Sequence, residues 1–66
     1  MFGIVRWFDL EKGYGFIIYK DLQNIFVHYS DVVNTEYKTL IEGQKVSFKL
    51  TETPKGLRAK DVYVLD

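Results

Sequence analysis

No stretch of this chain sustains an apolar repeat of about 3.6 residues between a starting and a stopping cap, and the chain has only 66 residues. Strands and turns must therefore do all the folding. Lys45-Val46-Ser47-Phe48-Lys49-Leu50 alternates cleanly. Val46, Phe48 and Leu50 fall on one side and the lysines and serine on the other, as in a half-buried strand. Further strands are expected near residues 2–9, 14–19, 25–29 and 58–65, with Val62 and Val64 the inward pair of the last. Leu10-Glu11-Lys12-Gly13, Lys20-Asp21-Leu22-Gln23-Asn24 and Glu42-Gly43-Gln44 separate them, and Thr51-Glu52-Thr53-Pro54-Lys55-Gly56 reads as a loop whose Pro and Gly break the pairing. Residues 30–44 lack a period, and a long irregular segment in a compact domain tends to be functional. Short strands in so few residues cannot bury a core as an open sheet. The expected solution is one all-β domain over residues 1–66, a five-stranded antiparallel barrel that closes on itself and hides most of its edges.

Several chemistries are excluded at once. Cysteine is absent, which removes disulfides, a thiol nucleophile and thiolate metal sites. With one histidine, no carboxylates paired on a common strand face and no phosphate-cradling loop, nothing assembles into a catalytic site. Ser30 and Asp31 are too close to His28 in sequence to complete a triad at a strand end. No cofactor, metal or small-molecule substrate is therefore expected. The first residues, Met1 to Trp7, lack the long apolar run of a signal peptide, and no window approaches the roughly 18 apolar residues of a membrane span. The expected setting is the cytoplasm.

Lys and Arg number 9 and Asp and Glu also 9, giving zero formal charge. The distribution is uneven: residues 1–20 sum to +1, 21–44 to −3, 45–60 to +4 and 61–66 to −2. Lys45, Lys49, Lys55, Arg58 and Lys60 supply the basic stretch. Solvated strand edges account for most of it.

The aromatic residues are more informative. A folded chain of this mass hides about 6,900 Å² of the roughly 11,300 Å² that its extended form exposes. Five Phe, five Tyr and one Trp, at about 200 Å² each, would claim about a third of that area. The core must also hold many Val, Ile and Leu, so some rings belong on the surface. Strand parity says which. In Tyr14-Gly15-Phe16-Ile17 the two rings share one face, and in Ile25-Phe26-Val27-His28 the phenyl and imidazole do. If the aliphatic faces line the barrel, Tyr14, Phe16, Phe26 and His28 stand outside on adjacent strands. The alternative, a two-layer sandwich in which the aromatic face packs on another element, is disfavoured because 66 residues offer little chain for a second layer. Unpaired nucleobases are the natural ligand, because every base can stack on an aromatic ring. Lys12, at the mouth of the second strand, is placed to meet a phosphate.

These residues carry a family resemblance. Lys12-Gly13-Tyr14-Gly15-Phe16-Ile17 is similar to the first ribonucleoprotein motif of the bacterial cold shock proteins, and Ile25-Phe26-Val27-His28-Tyr29 to the second. Gly3-Ile4-Val5-Arg6-Trp7-Phe8 resembles the family's first strand, Tyr37-Lys38-Thr39-Leu40 its long-loop aromatic, and Glu42 to Phe48 its fourth strand. The resemblance runs from residue 3 to residue 64. It implies an OB-type barrel that binds single-stranded RNA and DNA on a ladder of Trp7, Phe8, Tyr14, Phe16, Phe26, His28, Tyr29 and Tyr37. Arg6, Lys12 and Lys55 fall at basic or polar contact positions. It also implies a monomer that acts as an RNA chaperone in transcription antitermination and in translation in the cold.

Parity puts Trp7 with Val5 and Tyr29 with Val27, so their place in the ladder requires bends at the strand ends. Asp9 stands where the family often has Asn. It is counted with the binding residues by position, although a carboxylate offers no donor and repels phosphate. Tyr14, Tyr29 and Tyr37 stand where Phe is common, and Leu57 where Pro is.

Two rivals compete. Residues 12–19 also fit the first motif of an RNA recognition motif apart from Ile17, but no helices are readable and the two motifs come in the wrong order. An SH3-like barrel would hold proline-rich peptides on its rings and wants acidic neighbours, whereas Arg6 and Lys12 flank these.

Overall fold

The computed structural model describes residues 1–34, 36 and 39–65, for Asp21 the backbone alone. Its strands are β1 (Phe2–Asp9), β2 (Tyr14–Tyr19), β3 (Gln23–His28), β4 (Lys45–Thr53) and β5 (Gly56–Val64). They form a closed barrel in the order β1-β2-β3-β5-β4. Short 3₁₀ turns at Lys20–Leu22 and Tyr29–Asp31 bracket β3. Four pairings are antiparallel, and the seam that closes the barrel, β3 to β5, is parallel at Phe26 opposite Arg58.

Three boundaries differ from the expected ones. β3 begins at Gln23 and ends at His28, so Tyr29 belongs to the following turn. The expected loop over 51–56 shrinks to Pro54 and Lys55, because Thr53 pairs with Gly56. Proline does no harm there, since a turn position asks nothing of its missing N–H. The Thr53 hydroxyl accepts from Lys55 N–H at 3.2 Å and donates to the Gly56 carbonyl at 2.8 Å, and Gly56 takes φ +126°. The last strand stops at Val64.

The aliphatic faces do line the interior. Val5, Ile17, Ile25, Val27, Val46, Phe48, Ala59 and Val62 are buried there, with Leu50 and Val64 half-buried against them. Val32 and Leu40, from the aperiodic segment, are buried with them. Val32 bridges Val62, and Val33 N–H donates to the Val62 carbonyl at 2.9 Å.

Gly15 sets how closely β1 and β2 approach. A Cβ there would lie 2.1 Å from the Trp7 carbonyl oxygen and 2.7 Å from the Phe8 Cα, both backbone atoms that cannot swing aside. Among the described residues no helix is long and apolar enough to cross a membrane.

Candidate nucleic-acid interface

One row of direct cross-strand partners runs over the outside of the barrel. Trp7 on β1 faces Phe16 on β2, Phe16 faces Phe26 on β3, and Phe26 faces Arg58 on β5. Ring centroids are 5.5 Å apart for Trp7 and Phe16 and 5.9 Å for Phe16 and Phe26, both edge-to-face. A second row follows, with Asp9 opposite Tyr14 and Tyr14 opposite His28. Tyr14 joins the two rows, 6.0 Å from Trp7 and 5.8 Å from Phe26.

Trp7 reaches this face through a β-bulge. Val5 pairs with Ile17 but Trp7 pairs with Phe16, so Arg6 is the extra residue and the parity of β1 changes behind it. The same step turns Phe8 to the side of Gly15, where it is half-buried against the core. Phe8 thus stands beside the row of ring partners, opposite Gly15. Tyr29 lies beyond the end of β3, its ring 4.3 Å from that of His28 and packed over Gly13. A Cβ on Gly13, whose φ is +76°, would come within 2.5 Å of that ring. Tyr29 N–H donates to the Gly13 carbonyl at 2.8 Å, fixing the turn after β3 to the turn before β2.

The polar residues divide by role. Asp9 Oδ1 accepts the backbone N–H of Glu11 and of Lys12, each at 2.9 Å. Its carboxylate thereby clasps the β1–β2 turn. Lys12 is exposed on that turn, Arg6 is exposed on the bulge and Lys55 is exposed on the β4–β5 turn. His28 Nδ1 accepts Ser30 N–H at 3.3 Å and lies 3.0 Å from the Ser30 hydroxyl. Tyr37 lies outside the described residues. No cluster among the described residues could hold a metal ion.

The sequence reading missed one feature. Asp31 is buried, 3% exposed, and receives Arg58 Nε at 3.0 Å, Arg58 Nη2 at 3.2 Å, Lys60 Nζ at 3.5 Å and His28 N–H at 3.0 Å. The Arg58 guanidinium carbon lies 5.7 Å over the Phe26 ring centroid. Phe16, Phe26, His28, Lys55 and Arg58 line one open groove of about 710 Å³. Arg58 and Lys60 alternate in β5, which reads as an ordinary solvated edge. Only the pairing of β3 with β5 reveals that Arg58 ends the aromatic row.

Residues 1–65 match the family described as the 'Cold-shock' DNA-binding domain. The chain belongs to the cold shock domain family. A cold shock-like protein of Aquifex aeolicus is 50% identical over 64 residues, covering 96% of this chain and 91% of that one. The cold shock-like protein CspB of Bacillus cereus is 47% identical, covering 98% of this chain and all of its own, and that of Escherichia coli is 45% identical, covering 100% and 94%. In three dimensions the chain is similar to the drosophila Unr CSD456 structure, with a TM-score of 0.75 and 20% identity over 98% of this chain and 26% of that one. The closed five-stranded barrel is thus the OB fold of cold shock domains. The cold shock domain family consists of nucleic-acid-binding proteins and not enzymes. Membership also displaces the RNA recognition motif and the peptide-binding barrel.

Proposed function

We propose that this cold shock domain holds single-stranded RNA and DNA by stacking unpaired bases on Trp7, Tyr14, Phe16, Phe26, His28 and Tyr29, with Tyr37 added by the resemblance. Arg6, Lys12 and Lys55 meet the backbone. The observation that carries this reading is the row of rings in direct register across β1, β2 and β3, on the outside of a barrel whose buried core is aliphatic apart from Phe48. Phe8, half-buried beside the row, and Asp9, which clasps the β1–β2 turn, complete the proposed surface.

Residues 1–66 act as one monomeric cytoplasmic domain in this reading, and stacking without strict base readout suits an RNA chaperone. Keeping transcripts unpaired would serve transcription antitermination and translation in the cold. Trp7 is the chain's one tryptophan and belongs to the row, so its fluorescence reports binding. Adding a short oligothymidine should quench it in a saturable way. An unchanged signal, together with no retention on a single-strand column, would remove the proposal.

A further inference from the structure

We propose that Arg58 is a nucleotide-contacting residue, a planar fourth platform that continues the Trp7–Phe16–Phe26 row across the barrel's closing seam. The inference rests on the single-strand reading above and adds a residue to the same surface. Three observations place it there. Arg58 is the direct register partner of Phe26, so it follows Phe26 in the row as Phe26 follows Phe16. Its guanidinium carbon lies over the Phe26 ring at 5.7 Å. Asp31 fixes it from behind, taking Nε and Nη2 as a two-bonded fork at 3.0 and 3.2 Å.

The geometry of the fork decides the chemistry. A carboxylate that binds two nitrogens of one guanidinium fixes the orientation of its plane, which a lysine ammonium cannot reproduce. Asp31 is anchored in turn, buried and bonded to His28 N–H at 3.0 Å, so Arg58 is ordered before any ligand arrives. Among the described residues Nη1 makes no hydrogen bond, which leaves it for a phosphate or base oxygen. Guanidinium planes stack on nucleobases as aromatic rings do. Asp31 offsets the charge, so Arg58 contributes a surface and a directed donor more than a net positive charge.

Binding of an oligothymidine about eight nucleotides long to the whole chain, measured alongside urea unfolding, tests this through Arg58→Lys and Arg58→Gln. Lysine keeps the charge and an ion pair to Asp31 but not the plane. Arg58→Lys should fold, bind roughly tenfold more weakly per folded molecule and keep the wild-type dependence on salt. Arg58→Gln should lose at least as much affinity. Wild-type affinity in Arg58→Lys, within about twofold, would overturn the assignment, and so would a loss in that variant matched by a shallower salt slope, because charge would then explain it. Should the unmutated chain bind no oligothymidine, the proposed function itself falls, and Arg58 with it.

Discussion

At the scale of single residues, neighbours in one strand have opposite duties. Phe26 is half-buried with a face open to solvent, whereas Val27 beside it is fully buried against Ile17 and Ile25 in the core. Removing an exposed stacking ring costs ligand and removing a core methyl costs stability. Phe16→Ala and Phe26→Ala should each weaken oligothymidine binding by about 1–3 kcal/mol, with small changes in unfolding midpoint. Val27→Ala should instead lower stability by about 1–3 kcal/mol and leave the affinity of the folded fraction near wild type. Paired titrations and urea melts of the three variants check both. If Phe16→Ala unfolds the chain while its folded fraction binds normally, the ring is a core residue and the face assignment is reversed. Asp9 shows how a residue's work can be hidden from a sequence reader. By position it looked like a base contact with the wrong charge, yet a carboxylate suits a turn that presents two N–H donors.

Among the elements, the closeness of β1 and β2 brings the Trp7 and Phe16 rings into edge-to-face contact, and Gly15 permits that closeness. A methyl group at this position would meet two backbone atoms, so the strands would have to part. Parting them separates Trp7 from Phe16. Gly15→Ala should therefore destabilise the fold by about 3 kcal/mol or more, and its folded remainder should show weaker Trp7 quenching. A thermal melt within a few degrees of wild type would show that the strands yield more easily than the geometry implies. The elements also show where the sequence was legible. Alternation in β2, β3 and β4 was readable because a strand buried on one face repeats every two residues, and those repeats gave the barrel, most of its core and the positions of Tyr14, Phe16, Phe26 and His28. Trp7 was not readable by parity, because the bulge at Arg6 inserts one residue and inverts the pattern behind it. Tyr29 was not, because it has left the strand. Val32 and Leu40 come from aperiodic chain, where burial follows from tertiary packing. The Asp31–Arg58 pair spans 27 residues of sequence and exists only because the barrel closes there.

For the whole molecule, zero formal charge and a nucleic-acid ligand are reconciled by where the cations are engaged. Arg58 bonds to Asp31, Lys60 lies 3.5 Å from the same carboxylate, and Lys49 lies 3.5 Å from Asp61. Part of the basic stretch at residues 45–60 is thus compensated within the fold. Arg6, Lys12 and Lys55 stay exposed on the bulge and on the two turns around the rings. Each phosphate neutralised on a single strand releases counterions and adds about −0.7 to the slope of log K against log salt concentration. Three such contacts predict a slope near −2, measurable by Trp7 quenching between low and physiological salt. A slope of about −3.5 or steeper would mean that the paired lysines, Lys49 and Lys60, also leave their carboxylates to bind phosphate, and that electrostatics rather than stacking leads. A slope near −2 that persists in Phe26→Ala, while affinity falls, would separate the two contributions on one surface: cations set the dependence on salt, and rings set most of the remaining affinity.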